Sequence, residues 1–417
     1  MASECLQGVL SHLKPTGVKD FTQKNPDDVV VTCALRTPLT KAGKGGLKDT
    51  PFENLLVSLM KSTIEKSRID PKLVEDIVCG NVNEAGAAYR CRAAALAAGF
   101  PNTTACASVN RFCSSGLFAV QTVADQIVNN SIEIMMSAPG QREALSFSEE
   151  LLTCQEAQDC LQPMGQTSEN IGKDFNITRE LQDRWAAQSY QRAEAPQKAG
   201  WFKDEICPIK IKVKDPKTGQ WHEVTVTQDD GIRAGTTFEP LQKICPAFPK
   251  RGDKSTGENS SQVTDGAAAR LGQPILAKFV GATVTGCAPM IMGIGPSVAI
   301  PKPFEKYGIA KDNVDIFEIN EAFASMMVYC MNKLGLDPKK VNPRGGAIAI
   351  GHPLGATGAR QVSTILSEAR RQKAKVLVSS MCIGTGQGMA AFVGQRVHGC
   401  GEGICFMSVS LASLCIF

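Results

Sequence analysis

Chemically useful side chains stand at four places in the 417-residue sequence, each set among small residues. The first is Val109-Asn110-Arg111-Phe112-Cys113-Ser114-Ser115-Gly116, a thiol placed where a loop turns into an apolar run. The others are Asn320-Glu321-Ala322-Phe323, Gly351-His352-Pro353 and Met381-Cys382-Ile383-Gly384-Thr385-Gly386. A thiol at a helix start meets unpaired backbone N–H groups and the positive end of the helix dipole, which favours the thiolate. Thiolate formation needs a base, and His352 is one of only four histidines. Cys382 lies beside glycines whose backbone N–H groups can stabilise an oxyanion. Asn320 can orient a water or donate to a carbonyl oxygen. Two cysteines, a histidine and an asparagine together point to acyl transfer through a thioester, with a second group handling carbon-acid chemistry. Each also has a plainer reading. Any one of sixteen cysteines is ordinarily a small buried hydrophobe. A lone histidine in a glycine loop can be structural, and Asn320 suits a helix N-cap.

The elements that must carry these groups follow from periodicity. Leu117, Val120, Val123, Ala124 and Ile127 recur at three- and four-residue spacing, predicting a helix with one buried face and Ser114 and Ser115 in its cap and first turn. Apolar or β-branched runs at 29–34, 77–80, 132–136, 274–284, 314–319 and 375–380 read as strands. Helical patterns at 51–66, 90–99, up to Leu334 and 357–369 alternate with them. That alternation predicts an α/β fold with a largely parallel sheet. Between 149 and 248 the character changes to polar helices (168–175, 179–200) and a Lys-rich strand pair (209–213, 222–226), which reads as an inserted, more exposed domain. A polar loop follows at 255–261. The two halves echo each other. Ile77 leads to Asn83-Glu84-Ala85 as Ile316 leads to Asn320-Glu321-Ala322. Val109-Asn110 then introduces Cys113, as Val341-Asn342 introduces His352. Two echoes in one order suggest a duplicated unit, and duplicated α/β units place their strand-end loops across a shared cleft.

Composition narrows the field. A formal charge of +4 without a basic run interleaved with aromatics argues against nucleic acid. The cysteines form no CxxC pair and no Cys/His cluster at zinc spacing, so no metal site is expected. Unpaired cysteines fit a reducing compartment, and no apolar run is long enough to span a bilayer.

Taken in order, the four loops resemble the active-site loops of the thiolase family, and the resemblance covers roughly residues 28–393. It implies a duplicated αβαβα fold with an inserted loop domain, acting as a homodimer. Its domains are a leader (1–27), an N-terminal domain (28–148 plus 249–285), the loop domain on the CoA side (149–248), a C-terminal domain (286–393) and an atypical tail (394–417). The implied activity is thiolytic cleavage of a 3-ketoacyl-CoA to acetyl-CoA and a shortened acyl-CoA, within fatty-acid β-oxidation. By the same resemblance Cys113 is the acyl-accepting nucleophile and His352 activates it. Cys382 exchanges the proton at the substrate's α-carbon. His352, with Asn320 acting through a water, holds one thioester oxygen, and the N–H groups of Cys113 and Gly384 hold the other. No cofactor is bound permanently; CoA is a co-substrate, touching Arg233, Ala247, Phe248 and Ser261. Arg233 has its own rationale, since a guanidinium pairs bidentately with phosphate.

The leader resembles a peroxisomal targeting nonapeptide ending in His12-Leu13, with Cys5 where a basic residue is expected. It implies a peroxisomal enzyme that meets an import receptor; without that signal the protein is expected in the cytoplasm. Other departures are Phe112 before the nucleophile, the segment 137–144, Gln387, and the Cys-rich tail. Most consequential, Asp265-Gly266-Ala267-Ala268-Ala269 runs straight into Arg270, where thiolases carry a longer segment. One N-terminal-half strand is therefore expected to be missing near Ala269-Arg270. Two alternative readings follow: an acetoacetyl-CoA thiolase working in the condensing direction, or a dead or unstable thiolase-like protein.

Overall fold

The chain is described by a computed structural model over residues 17–25, 28–82, 86–129, 153–215, 217–269 and 275–396. His12, Cys5, the strand expected at 132–136, the segments 83–85 and 137–144, and the end of the tail lie outside these residues.

The first half holds α1 (Gly17–Thr22), β1 (Val30–Val31), β2 (Leu35–Arg36), α2 (Phe52–Ser67), β3 (Asp76–Gly80), α3 (Ala87–Ala98), β4 (Ala105–Val109) and α4 (Ser115–Val128). The insert holds α5 (Met164–Asp174), α6 (Arg179–Lys198), β5 (Ile209–Lys214) and β6 (Trp221–Val226). The chain returns through β7 (Ala268–Ala269), β8 (Ala277–Gly286), β9 (Ile316–Ile319), α7 (Ala324–Leu334), α8 (Thr357–Gln372), β10 (Val376–Ile383) and β11 (Gln387–Gln395).

Sequence periodicity becomes layer order. Phe52, Leu55, Leu56, Leu59 and Met60 put one face of α2 into a core with Ile77, Cys79 and α3. The second half builds a five-stranded sheet in the order β1-β8-β11-β10-β9, in which β9 and β10 run parallel and the other pairs antiparallel. Between that sheet and the parallel pair β3/β4 lie α4 and α8, sharing a core with Val362, Ile365, Leu117 and Val120. Outside the sheet, α6 and α7 form the last layer. Helix α8 is buried from Thr357 to Ala369, polar residues included, because it has protein on both sides. Where it meets α4, a Cβ on Gly358 would stand 2.4 Å from the Leu117 nitrogen, so only glycine allows the two helix starts to adjoin.

The internal echo is structural. Strand β4, which leads to Cys113, pairs in parallel with β3. Val341, which leads to His352, makes a parallel bridge to Phe317 of β9.

The first strand departs from expectation. Instead of one run it forms two short strands with different partners: Leu35–Arg36 pairs with Ala268–Ala269, and Val30–Val31 pairs with Ala277–Lys278. Ala277 stands opposite Val31, four positions later than an unbroken Leu35–Ala269 register would give. The short connection therefore leaves β7 two residues long, and the start of β8 supplies the antiparallel partner for the backbone of β1. Leu276 N–H donates to Val31 O at 2.6 Å, and Phe279 N–H donates to Val29 O at 2.9 Å. Buried peptide groups keep their partners, which is the condition a truncated strand has to meet.

Two further regions depart from the simple reading. Phe21 of α1 is fully buried and packs edge-on against Phe392 at 5.4 Å, so residues just before β1 belong to the folded body. In the insert β6 and the segment 233–248 have the expected exposure, whereas β5 buries Ile209 and Ile211 in the core beneath α2. Helix α6 buries Trp185, Ala186, Tyr190 and Ala193 in the largest core, because its polar composition sits on the opposite face. Buried ion pairs tie the insert to both halves: Arg36 to Glu205 and to Asp229, each at 2.6 Å, and Arg344 to Glu205 at 3.4 Å. Among the described residues no helix is long and apolar enough to cross a membrane.

Candidate active site

The Cys113 loop is tightly turned. Phe112 adopts φ +47°, a left-handed conformation that is costly for a bulky residue. The turn is held by Ser114 N–H to Arg111 O at 3.0 Å and by Ser115, whose hydroxyl accepts from Arg111 N–H at 2.9 Å. Ser114 occupies the N-cap position but does not cap with its side chain; its hydroxyl donates to the Met389 sulfur at 3.0 Å. Cys113 itself is half-buried at the mouth of α4.

Cys382 is the last residue but one of β10 and is fully buried. Burial, and then the nearby Cys113 sulfur, push its thiol pKa well up, so it is a protonated thiol at neutral pH. Gly384, two residues on, faces the Phe112 ring: a Cβ there would lie 3.7 Å from it. The loops of Cys113, Cys382 and Gly384 therefore meet across the boundary between the two halves.

His352 is nearly fully buried. Its Nδ1 lies 2.5 Å from the Thr357 hydroxyl in the first turn of α8, and its Nε2 lies 3.5 Å from the Asn320 side-chain nitrogen. Burial, and then the Arg360 charge, lower its pKa to about 3, which keeps the ring neutral. Asn320 is fully buried, and its Oδ1 has no protein partner. It is not a helix cap: α7 starts at Ala324 with Phe323 in the cap position. Glu321 holds the neighbouring backbone in register. Its carboxylate accepts from Trp185 Nε1 at 3.1 Å, Ser189 Oγ at 2.6 Å, Asn342 Nδ2 at 3.0 Å and Ile348 N–H at 3.2 Å.

Of the four residues expected to touch CoA, Ser261 belongs to the loop 255–261, Ala247 and Arg233 contact it, and Phe248 adjoins Ala247. Ser261 donates its N–H to Ala322 O at 2.9 Å, and Val263 bridges His352, so this segment runs between the Asn320 and His352 loops. Ala247 donates its N–H to Ser255 O at 2.9 Å. The Phe248 ring lies over Gly165, where a Cβ would stand 2.4 Å from it. Arg233 reaches the loop through an ion pair with Glu258.

Reading residues singly missed Thr357, Glu321 and Glu258. Thr357 carried a usable signal, since it stands five residues after His352 at the expected start of a helix. Glu321 and Glu258 carried none, because their partners come from remote segments.

This arrangement couples a half-open thiol to a buried thiol and a neutral imidazole–amide pair, in a duplicated α/β frame with a helical layer at its centre. Such a frame and site define an acyl-transfer enzyme. Residues 29–272 match the thiolase N-terminal domain and residues 273–395 the thiolase C-terminal domain. The chain belongs to the thiolase family. It is 50% identical over 396 residues to the peroxisomal 3-ketoacyl-CoA thiolase of Yarrowia lipolytica, covering 90% of this chain and 95% of that one. Among solved structures, the dimeric peroxisomal thiolase of Saccharomyces cerevisiae superposes with a TM-score of 0.81 at 42% identity, covering 90% of this chain and 99% of that one. Human mitochondrial 3-ketoacyl-CoA thiolase, solved in complex with CoA, superposes with a TM-score of 0.77 at 32% identity, over 89% and 99% of the two chains.

Proposed function

We propose that this enzyme cleaves 3-ketoacyl-CoA with CoA, in peroxisomal fatty-acid β-oxidation, through an acyl-enzyme on Cys113. The observation that carries the proposal is the meeting of the Cys113 and Gly384 loops beside a buried, protonated Cys382. His352 takes the thiol proton, and the Cys113 thiolate attacks the 3-keto carbon. The resulting oxyanion rests on the N–H groups of Cys113 and Gly384, as preorganised donors require. The C2–C3 bond breaks, leaving the shortened acyl group on sulfur. Its electrons pass to the acetyl-CoA enolate, whose thioester oxygen is held by His352 and by Asn320 through a water on the open Oδ1. Cys382 gives its proton to C2, releasing acetyl-CoA. The Cys382 thiolate then takes the proton of an incoming CoA thiol, and the CoA sulfur collects the acyl group and frees Cys113. Two half-reactions through one acyl-enzyme give ping-pong kinetics.

CoA lies along the loop 255–261, with Ser261, Ala247 and Phe248 beside the pantetheine arm and Arg233 at the 3′-phosphate. The working unit is a homodimer: among the described residues β4 pairs with β3 alone, and its strand is half-buried to exposed next to the nucleophile. An import receptor recognises the leader. The test is mass spectrometry of the purified protein after incubation with a 3-ketoacyl-CoA lacking free CoA. The unmutated protein should gain the shortened acyl group, and Cys113→Ala should gain nothing. No adduct on the unmutated protein would sink the reading.

A further inference from the structure

The residue assigned to the 3′-phosphate of CoA is already engaged. Arg233 Nη1 pairs with Glu258 Oε2, with the arginine side chain 45% exposed and the glutamate 17%. The carboxylate is not a passing surface charge. The same Oε2 accepts from the hydroxyl of Tyr190 at 3.1 Å, and Tyr190 is fully buried. Gln262 in turn donates from Nε2 to that hydroxyl at 3.4 Å and to Gly231 O at 3.1 Å, and its backbone carbonyl accepts the backbone N–H of His352 at 2.7 Å. The loop that presents Glu258 is fixed. Thr256 N–H donates to Asn259 Oδ1 at 2.7 Å, and the Asn259 amide donates to Asp183 at 2.9 Å and to Lys254 O at 2.9 Å. A carboxylate is thus held from a rigid loop against the cation that the nucleotide end of the substrate needs.

We propose that Glu258 is an affinity-determining residue for CoA: an internal carboxylate that occupies Arg233 and must be displaced by the 3′-phosphate. The inference rests on the assignment of Arg233 to that phosphate. A phosphate monoester outcompetes a carboxylate for guanidinium through its higher charge and third oxygen. It does so against two costs, the existing ion pair and the repulsion between phosphate and the carboxylate left behind. Ligands without the 3′-phosphate meet neither cost and gain nothing from Arg233. Glu258 therefore lowers the advantage of CoA over 3′-dephospho-CoA, and speeds release of CoA-bearing products at the end of each turnover.

Equilibrium binding of CoA and 3′-dephospho-CoA to the full-length protein, by calorimetry, tests this directly. Glu258→Gln should tighten CoA by roughly threefold to tenfold, the span of a partly exposed ion pair, and leave 3′-dephospho-CoA unchanged. Glu258→Asp, which keeps the charge but withdraws it by a methylene, should fall between. Arg233→Gln should bring the two ligands to nearly equal affinity. If Arg233→Gln leaves their ratio untouched, the phosphate assignment itself fails. If Arg233→Gln collapses the ratio while Glu258→Gln and Glu258→Asp leave it as found, the assignment stands and the competition is refuted. A loss of CoA affinity in Glu258→Gln, with circular dichroism unchanged, would also overturn the proposal, because Glu258 would then orient Arg233 toward the ligand.

Discussion

The two halves of the molecule repeat one plan and put it to opposite uses. In the first half the loop after β4 holds a half-buried thiol at a helix mouth, beside a strand that has a single partner among the described residues. In the second half the corresponding loop after Val341 holds a histidine at 3% exposure, and the loop after β9 holds a fully buried asparagine. The comparison teaches a division of labour by burial. In the proposed mechanism the nucleophile has to be reached first by a bulky thioester and then by the thiol of CoA, so it sits at an edge. The groups proposed to move or hold protons gain strength from a dry, low-dielectric setting, so they sit inside. Duplication supplies both settings from one topology, and the adjoining starts of α4 and α8 at Gly358 bring them together.

Removing the chemistry of either half tests that division. Replacing the nucleophile with Cys113→Ala should abolish acyl-enzyme formation, with turnover down by about four orders of magnitude or more. Cys382→Ala should lower thiolysis by roughly 10²–10⁴, the range for a positioned acid–base group. It should also remove exchange of the α-protons of acetyl-CoA into deuterated water; exchange that survives would mean the buried thiol is not the acid. Asn320→Ala should cost roughly 10²–10³ in kcat, with a smaller change in KM, because its contact matters most when charge is on the thioester oxygen. A pure KM effect would move Asn320 to substrate binding. Thr357→Val keeps the shape but removes the hydroxyl 2.5 Å from His352 Nδ1, and should lower kcat by about tenfold, the worth of one buried hydrogen bond.

The smallest effect is on pH-dependent stability. His352 is neutral in the fold down to about pH 3 but takes a proton in the unfolded chain below about pH 6.5. Between these values the unfolded state binds more protons, so this group makes stability rise with pH and contributes a plateau above the window. Chemical denaturation of wild type and His352→Asn across pH 3.5–7 should show that slope in their difference, and a flat difference would place the ring in water. Other buried groups titrate in the same range, including Glu318, raised to about 7 by burial, so the difference between the two proteins is the quantity to read.

The outcome at Ala269 carries a separate lesson. The sequence there predicts the loss of a strand; among the described residues a strand of two residues, β7, is present and paired with β2. What periodicity does not reveal is that Ala277–Lys278 pairs on both sides within one sheet, with Val30–Val31 on one edge and with Gly394–Gln395 on the other. Hydrogen-bond demand in a buried strand is blind to which half of the chain meets it.

Sequence alone determined a good deal here: the alternation of elements, the helix behind Cys113, the repeated strand-to-loop plan, and the four reactive loops in order. These are local properties, written in spacing that a helix or strand reads directly. Tertiary structure alone decided which of those groups meet. It made Asn320 a neighbour of His352 and left the cap of α7 to Phe323, buried α6 despite its polarity, and placed Glu258 on Arg233. Each of these contacts joins segments far apart in the chain or depends on which face of an element is covered. Burial and charge at such a contact belong to the packed pair and to neither residue on its own.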